Sequence, residues 1–573
     1  MPSTLLNVGK ILVLSWSDVF VAFVFWMMMD YLTEVWMISF VHAAGIVNIF
    51  WGTAHVLPLA IRYLVDTTIS KYWMILVSSF AYTAGMCLLT MSTPPALAGA
   101  MGTCSDYKPE CIGEGQKILL YTALGLIAFG ISGHMGSIDR FIADQATNFR
   151  EEEFSMSFRP QLIIFSFWGL SLVPNILSIA FLFIKSWKIK FGILAMFTTV
   201  STLVFLSGSS SYRRRKPQGS SLTTVVRVFV ASISKLSYRC PRHASELYER
   251  SDINDLYVVP HSRGLRWLDK AAIILPNKAL RQQERNRWRL CSVTEVEETK
   301  CLVHLIPICF TFIIPGVVSS IGNTFLLEQA EVINGKDGGN FSFGPLLLLL
   351  LYYISKDPAI GETRRLDVVR SHGLIDKPDE KIPMSLFWLL PQFLLLGAAD
   401  GFYEKGIDMF FSDQFPRMIF RYLKYIFVAT MGVGIIGSTL SVYYAGIISE
   451  RIGKHNWFQD TLNLSRLDNY YWLLAALTAA NLAVLIIAAM RFPYNYLSLE
   501  QIDIDDGPLM KMKISTANRR EERSSTSLSR ILSHDRSACR CTYDLGFHQY
   551  VLVSNKKEIE GDNAELEKLA FYE

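Results

Sequence analysis

Long, uninterrupted apolar runs recur along the sequence, and they constrain its fold more than any other feature. Each run has about 20 residues or more, the length that an α-helix needs to cross the hydrocarbon core of a bilayer. Ten runs fit this description: 11–38, 42–64, 72–91, 117–140, 160–184, 188–207, 301–327, 384–411, 417–447 and 469–490. Their apolar residues are continuous rather than alternating, which excludes a transmembrane β-barrel. The sequence therefore predicts an all-α polytopic membrane protein.

The composition agrees with a membrane protein and argues against other classes. Of the 573 residues, 51% are hydrophobic and 18% are charged, against about 25% charged residues in an average soluble domain. One globular core cannot bury such an excess over this length. No P-loop, HExxH, GxSxG or dinucleotide motif indicates an enzyme. We expect no cofactor, no metal site and no nucleic-acid partner, since the basic stretches lack the context of a nucleic-acid-binding fold.

The apolar runs form two groups separated by a basic loop. Residues 1–207 predict an N-terminal six-helix bundle, and residues 301–491 predict a C-terminal bundle. The loop 208–300 has 18 Lys and Arg against 9 Asp and Glu, a balance of +9, and it opens with three arginines at 213–215. Positive charge next to a span favours the cytosolic side. We therefore expect the loop, the N-terminus and the polar tail 492–573 in the cytosol.

Four residues become candidates for modification on the opposite side of the membrane. Cys104 and Cys111, seven positions apart, are a candidate disulfide, with two free thiols as the alternative. Asn340 and Asn463 each begin an N-x-S sequon and are glycosylation candidates. Both sequons face outward only if residues 328–383 cross the membrane twice or not at all.

Seven segments resemble motifs of the plant nitrate and peptide transporter family, part of the proton-coupled oligopeptide transporter superfamily. In chain order they are PLAIRYLVDTTISKYW at 58–73, ADQ at 143–145, YRRRKPQGS at 212–220, RWLDKAA at 266–272, WRLCSVTEVEE at 288–298, FWLLPQFLLLGAA at 387–399 and WFQDTLNLSRLDNYYW at 457–472. The family's fifth subfamily is the most similar. The resemblance implies the major facilitator superfamily fold, with two helix bundles that give access to each side of the membrane in turn.

The chain departs from this family at two positions that matter for protons. Family members that couple to protons carry an ExxER motif in the first span, whereas the aligned residues here are Asp18, Val21 and Ala22. One acid is kept in shortened form, and the second acid and the arginine are absent. Around His134, in GISGHMGSIDRF, Met135 stands where the family has a lysine. Proton coupling by the usual route is therefore in doubt.

A third departure concerns the number of spans. Between Asn340 and Met384 the chain has one short apolar run, 343–353, where the family has its eighth and ninth spans. The sequence thus predicts ten or eleven of the usual twelve spans. Losing a helix pair would preserve the topology, whereas losing one helix would invert the last three spans. We favour the loss of a pair.

Ionisable side chains within spans are candidates for a substrate or proton pathway, because an unpaired charge in lipid is costly. Asp400 and Glu404 share one helical face, and Asp400 stands in the place of the family's span-ten glutamate. The further candidates are Asp18, His55, His304 and Asn323. The alternatives are an interfacial acid for Asp18 and a structurally satisfied histidine for His55.

The loop between the second and third runs suggests a gate, and the whole pattern suggests a transporter. We expect Asp66 and Lys71 to pair across helices at a cytosolic gate rather than touch substrate. The predicted function is secondary transport of a small polar solute, either a peptide-like or amino-acid-derived metabolite or nitrate, with protons as a second candidate ligand. The alternative is a transport-inactive, receptor-like or scaffold protein of the same family. The lipid bilayer is the expected partner, and plasma membrane and endomembrane are not distinguished.

Overall fold

Helices make up nearly all of the regular structure in the computed structural model. The structure describes residues 2–93, 113–146, 173–217, 219–241, 246–249, 261–262, 264–276, 279–322, 324–326, 329, 359–375, 382–384, 417–453, 455–459 and 462–492. Within these ranges the extended segments form one isolated antiparallel bridge, between Leu247 and Ile273. The described part of the chain is therefore all-α.

The main helices follow one another along the chain with short helical turns between some of them. The main helices are α1 (Pro2–Trp26), α2 (Phe40–Thr67), α3 (Lys71–Ser92), α4 (Glu114–Ala146), α5 (Trp187–Ser207), α6 (Ser221–Ser234), α7 (Val293–Thr311), α8 (Ile313–Gly322), α9 (Ala359–Ser371), α10 (Arg417–Gly453) and α11 (Leu467–Arg491). The short turns are Met28–Asp30, the π-helical Tyr31–Val35, the 3₁₀ segments Ile179–Phe183 and Leu268–Ala272, and Leu280–Glu284.

Eight candidate membrane spans are present among the described residues. They are α1 from Leu6, α2, α3, α4, α5, α7 together with α8, α10 from Tyr422, and α11. These helices confirm eight of the ten apolar runs. Of the other two runs, 384–411 lies almost entirely outside the described residues, and 160–184 is described only from 173 onward, where a short apolar helix occurs.

The first turn of α7 shows why that span begins where it does. The Ser292 hydroxyl accepts a hydrogen bond from the Glu295 amide at 3.2 Å, and the Glu295 carboxylate accepts one from the Ser292 amide at 3.2 Å. This reciprocal capping box satisfies two of the amide groups that a helix start leaves unpaired. Glu295 also accepts from Arg227 of α6 at 2.9 Å. The base of the seventh span is thereby tied to the basic loop.

Contacts between the ends of helices define two sides of the molecule. The Asn7 side chain donates to the Ser211 carbonyl at 3.2 Å, and the Gly219 amide donates to the Asp66 carbonyl at 2.9 Å. We name this end, beside the basic loop, the loop side, and the opposite end the far side. On the far side Phe40 packs on Phe325, with ring centroids 5.9 Å apart.

The far-side packing extends to the last two spans. The ring of Phe325 lies 6.1 Å from that of Phe458 and 6.4 Å from that of Tyr470. Phe458 follows the end of α10, whereas Tyr422 near its start contacts Asp66 on the loop side. Helix α10 therefore runs from the loop side to the far side, and α11 returns. This direction differs from the inverted one that the loss of a single helix would give.

Glycines let α10 approach its neighbours closely. A Cβ added to Gly432 would lie 2.8 Å from the Gly52 carbonyl oxygen on α2, and one added to Gly434 would lie 2.1 Å from the Ile313 carbonyl oxygen on α8. Real Cβ atoms do not approach backbone that closely. The backbone of α10 thus lies almost in contact with that of α2 in the N-terminal half and with that of α8 in the seventh span.

The basic loop has a small core of its own. Val228 and Ala231 of α6 pack with Leu268, Ala271 and Cys291, and all five side chains are buried. Next to this loop core, the Lys235 ammonium donates to the carbonyls of Ala271 at 3.0 Å and Ile273 at 2.7 Å. Burial lowers the pKa of Lys235 to about 8.

Candidate functional site

A cavity of about 200 Å³ lies in the loop-side half of the spans, between α1, α4 and α10. The described residues that line it are Ser15, Asp18, His134, Met135, Ile138, Asp139, Lys424, Tyr425 and Val428. Three elements from both halves of the chain therefore surround one space. This is where an alternating-access transporter is expected to hold a solute.

Asp18 and His134 form an ion-pair contact at the wall of the cavity. The Nδ1 atom of His134 lies 2.8 Å from Oδ1 and 3.1 Å from Oδ2 of Asp18. The His134 side chain is 1% exposed, and the Asp18 side chain is 25% exposed. The carboxyl group thus faces the cavity while the imidazole is enclosed behind it.

The other side of the imidazole contacts α3. Its Nε2 atom lies 2.9 Å from the Ser79 hydroxyl oxygen, which itself donates to the Ile75 carbonyl at 2.7 Å. The Tyr82 ring meets the imidazole edge-on, with centroids 5.5 Å apart. Both ring nitrogens of His134 are therefore hydrogen-bonded, and the ring is fixed in one orientation.

Charges of both signs face the cavity from the two halves of the chain. Asp18 and Asp139 come from α1 and α4, and Lys424 comes from α10. The Tyr425 hydroxyl donates to the Met135 carbonyl at 3.3 Å, which bridges α10 and α4. The lining can therefore hold a solute that carries both an amine and an acidic group.

The two residues that replace the second acid and the arginine of the ExxER pattern pack away from this site. Val21 is fully buried in the largest apolar cluster, and Ala22 packs against the same cluster. Neither side chain lines the cavity. The second carboxylate and the guanidinium of the usual motif are thus replaced by apolar packing, and Asp18 keeps the first carboxylate in shortened form.

Asp66, predicted as a gate residue, joins the two halves of the chain on the loop side. Its carboxylate accepts from Arg62 on the same helix and from the Tyr422 hydroxyl on α10. Arg140 of α4 adds a guanidinium at 3.8 Å. The contact from Asp66 to Tyr422 closes α2 against α10.

Lys71, the other predicted gate residue, pairs within the N-terminal half. Its ammonium contacts the carboxylate of Asp144 on α4, and Arg215 lies 3.8 Å from the same carboxylate. This pairing crosses helices, as the gate hypothesis requires, but it does not reach the C-terminal half among the described contacts. We assign the bridging role to Asp66.

Two predicted pathway residues lie away from the cavity. The Nδ1 atom of His55 is 2.7 Å from the Trp51 carbonyl on the same helix, and its Cβ lies against Gly432 of α10. His304 of α7 faces the basic loop, with Nε2 3.5 Å from a Cβ built on Gly264. The structure brings neither histidine to Asp18.

Several predicted residues lie outside the described residues. They are Asp400 and Glu404, Asn323, the cysteines Cys104 and Cys111, and the sequon Asn340.

The glycosylation prediction at Asn463 meets a physical objection. Asn463 does lie on the far side, but it is 5% exposed. Its Oδ1 accepts from the Arg365 guanidinium at 2.9 Å, and its Nδ2 donates to the Leu374 carbonyl at 3.1 Å. Since both polar atoms are buried and bonded, the folded protein does not present this amide to a glycosyltransferase.

One acidic cluster resembles a metal site in its ligand set. His261, Asp269 and Glu297 bring ligand atoms within 4.8 Å of one another. The Lys300 ammonium already lies 2.6 Å from Asp269 and 2.7 Å from Glu297. Because a lysine supplies the positive charge between the two carboxylates, we interpret this group as an ion-pair cluster that holds the loop on α7.

Five of the residues that form the site were not predicted from the sequence. They are Ser79, His134, Asp139, Lys424 and Tyr425. His134, Asp139 and Lys424 are ionisable residues within apolar runs, which is itself a signal of function. Ser79 and Tyr425 have no signal in the sequence, because their role depends on which helices meet.

Comparisons with known proteins agree with the geometry. A family model described as PTR2, POT family, matches residues 72–354. The Arabidopsis thaliana protein NRT1/PTR family 5.5 is 36% identical over 84% of this chain and 96% of its own length. NRT1/PTR family 5.4 of the same plant is 30% identical over 81% of this chain and 90% of its own length.

Solved structures show the same fold. A crystal structure of an autoinhibited POT family peptide transporter matches with a TM-score of 0.55 at 16% identity, over 87% of this chain and 98% of that chain. The POT family transporter PepTSo matches with a TM-score of 0.53 at 15% identity and the same coverage. At these identities the likeness concerns the fold, that of the major facilitator superfamily. The chain belongs to the NRT1/PTR branch of the POT family, whose members are multi-pass membrane transporters rather than enzymes.

Proposed function

We propose that this protein carries a small polar solute across the membrane by alternating access. The observation that supports this most directly is the cavity, which is lined by α1 and α4 from one half and by α10 from the other. A cavity between two bundles can open to either side when the bundles rock against each other.

The contacts at the two ends fit a closed state of such a cycle, in which the cavity opens first towards the loop side. On the far side, Phe40 and Phe325 pack the second span against the seventh. On the loop side, polar contacts between described residues of the bundles run from Tyr422 to Asp66 and from Tyr425 to Met135. A few polar contacts open at lower cost than a continuous aromatic packing. The loop side is therefore the side to which this cavity would open first.

We infer that the solute is a zwitterion rather than bare nitrate. Asp18 and Asp139 stand on the N-terminal side of the cavity, and Lys424 stands on the other. A peptide-like or amino-acid-derived solute can direct its amine to the carboxylates and its carboxylate to the ammonium. Nitrate would satisfy only Lys424, and it would face the carboxylates of Asp139 and of the Asp18–His134 pair.

Counterflow in proteoliposomes tests this function without assuming a driving force. Purified protein is reconstituted into vesicles loaded with unlabelled dialanine, nicotianamine or nitrate, and entry of the same labelled solute is followed. We expect exchange of dialanine or nicotianamine, and loss of at least tenfold with Lys424→Ala. The exposed Lys117→Ala, at the far-side start of α4, serves as the matched control.

The outcomes separate the alternatives. Exchange of nitrate alone would contradict the substrate class and keep the transport function. No exchange of any of the three, with correctly folded protein in the vesicles, would favour the transport-inactive, receptor-like alternative.

A further inference from the structure

We propose that helix α6 docks on an anionic leaflet of the bilayer at the loop side, through an apolar stripe that basic side chains accompany. The stripe consists of Leu222, Val226, Phe229, Val230 and Ile233. Three observations support this: the exposure of the stripe, the position of α6 at the ends of two spans, and the charge around it. The inference does not depend on whether the protein carries a solute.

The exposed face of α6 is its apolar face. Val226, Val230 and Ile233 are 52%, 43% and 58% exposed. They stand at positions i, i+4 and i+7, which lie on one side of a helix. Leu222 and Phe229 share this side and are half-buried. The stripe is therefore continuous over the length of the helix.

The opposite face of α6 already has its partner. Val228 and Ala231 are buried in the loop core, and the Ser232 hydroxyl donates to the Leu268 carbonyl at 3.0 Å. Arg227, the charged residue within the helix, is buried as well. A helix that turns its arginine inward and its valines outward is not arranged for contact with water. Contiguous exposed apolar surface marks a contact with another protein or with a membrane.

Helix α6 begins at the loop-side ends of two spans. The Gly219 amide donates to the Asp66 carbonyl in the last turn of α2 at 2.9 Å, and the Ser220 side chain contacts the hydroxyl of Tyr422, the first residue of its span. The Ser220 hydroxyl also accepts from the Leu222 amide at 3.2 Å and so caps α6. Because both spans leave the hydrocarbon core at this end, α6 starts at the level of the lipid headgroups. A surface that can bury the stripe therefore lies beside it.

Aromatic side chains extend the apolar surface. The ring of Phe229 lies 5.6 Å from that of Trp267, which is exposed. Leu236 and Tyr238, which follow the end of α6, are exposed as well. Trp and Tyr are enriched at membrane–water interfaces, because their rings combine an apolar body with a polar group. This composition favours a lipid headgroup region over a purely apolar partner.

The charge around the stripe is positive. Residues 221–241 and 264–276 together carry five basic residues and one acidic residue. The acid, Asp269, is buried and ion-paired. Arg239 and Arg266 are exposed. The surface that accompanies the stripe therefore favours an anionic partner.

Two of the cations lie at the C-terminal end of the stripe. Arg266 donates to the Pro241 carbonyl at 3.1 Å, and Lys270 donates to the Leu236 carbonyl at 2.6 Å. Anionic lipids give a cytosolic leaflet its negative charge, and each basic side chain near it strengthens binding about fivefold. A second copy of this chain would instead bring the same positive charge to the contact. The charge thus favours the leaflet as the occupant.

Depth measurement by electron paramagnetic resonance tests the docking. A nitroxide is attached through p-acetylphenylalanine in place of Val230, in the full-length protein in nanodiscs of phosphatidylcholine with or without phosphatidylserine. Collision rates with oxygen and with a water-soluble nickel chelate report whether the label lies in lipid or in water. With phosphatidylserine, we expect this label to resemble a reference label at Val200, which is exposed on α5, and to differ from one at Glu284, which is exposed in the loop.

Two kinds of variant separate the apolar contact from the charge. Ile233→Asp should move the label at Val230 from lipid into water, because a carboxylate on the stripe opposes entry into the leaflet. Ser234→Asp, at an exposed position outside the stripe, is the matched control and should leave the label in lipid. The double substitution Arg239→Gln and Arg266→Gln should lower the ratio of docked to undocked label at least tenfold in the phosphatidylserine nanodiscs.

The outcomes decide the occupant of the stripe. A label at Val230 that remains in water in both kinds of nanodisc would overturn the proposal. A label shielded from both reagents would overturn it too, and would show that protein covers the stripe, either the tail 493–573 or a second copy. Equal docking with and without phosphatidylserine would overturn the recognition of negative charge. The comparison of the two lipids uses the labelled protein alone, so it still decides if Ile233→Asp does not fold.

Discussion

The Tyr422 hydroxyl at the start of α10 donates a hydrogen bond to the Asp66 carboxylate at the end of α2, and 356 residues of chain separate the two. This bond joins the two halves of the protein on the loop side. Asp66 also holds Arg62, and Tyr422 contacts Ser220 at the entrance of the basic loop. The two halves of the protein and the start of the basic loop therefore meet beside the Asp66 carboxylate.

Removing this hydroxyl should loosen the loop side. A hydrogen bond to a charged group contributes about 1.5–3 kcal/mol, so Tyr422→Phe should raise the population of the separated state by about tenfold or more. Spin labels on the exposed residues Tyr63 and Leu236 would report the distance between the end of α2 and the end of α6. The control is Tyr443→Phe, an exposed tyrosine on α10. An unchanged distance distribution in Tyr422→Phe would show that this bond does not hold the gate.

Close contact of α8 and α10 predicts a sharp difference between two glycines on one helix. A Cβ on Gly434 would lie 2.1 Å from the Ile313 carbonyl oxygen, whereas a Cβ on Gly437 meets nothing within 4 Å. Gly434→Ala should destabilise by about 1–3 kcal/mol through overpacking. Gly437→Ala should be neutral or stabilising by up to about 1 kcal/mol, because alanine favours helix. Thermal unfolding in detergent compares them, and equal melting temperatures would contradict this packing.

The sequence predicted the spans well because hydropathy is a local property. Each of the eight described spans overlaps an apolar run, and Asp66 was predicted as a gate residue from its motif. The partner of Asp66 was not predicted, since no local pattern marks Tyr422 as the residue that contacts it. Asp18 was likewise predicted as a site residue, whereas no local pattern marks His134 and Ser79 as the residues that complete its site. Helix α6 was missed because its apolar residues lie in a segment whose overall composition is that of a loop.

The buried amide of Asn463 leads to two predictions: its removal should lower the stability of the protein, and the site should carry no glycan. Asn463→Ala would leave the Arg365 guanidinium without one of its buried acceptors, which should cost about 1–3 kcal/mol. Glu362 and the Leu462 carbonyl remain as partners and limit the loss. Thermal unfolding in detergent measures this effect.

A gel assay checks the glycan. Protein expressed in plant cells and treated with peptide N-glycosidase should show the same mobility change in the wild type and in Asn463→Gln. A glycan removed from the wild type but absent from Asn463→Gln would show that this site is modified before the far side folds.

Lys235 should make the stability of the basic loop depend on pH. Burial lowers the pKa of Lys235 from 10.5 to about 8 in the folded protein. Between these values the unfolded chain binds the proton and the folded chain does not, so stability rises with pH above about 8. Cys291 nearby has its pKa raised to about 12 by burial, and it opposes this trend only above pH 9, where the unfolded thiol ionises. The informative window is therefore pH 7.5–9.

Hydrogen exchange of the loop peptides around α6 and residues 268–273 measures this effect in the full-length protein. Protection in the wild type should increase from pH 7.5 to 9, after correction for the intrinsic exchange rate. Lys235→Met keeps the aliphatic stem but cannot titrate, so its corrected protection should stay flat over the same window. Lys270→Met is the matched control, because that ammonium is bonded at the exposed edge of the same loop. Parallel curves for the wild type and Lys235→Met would mean that Lys235 stays charged in its buried position.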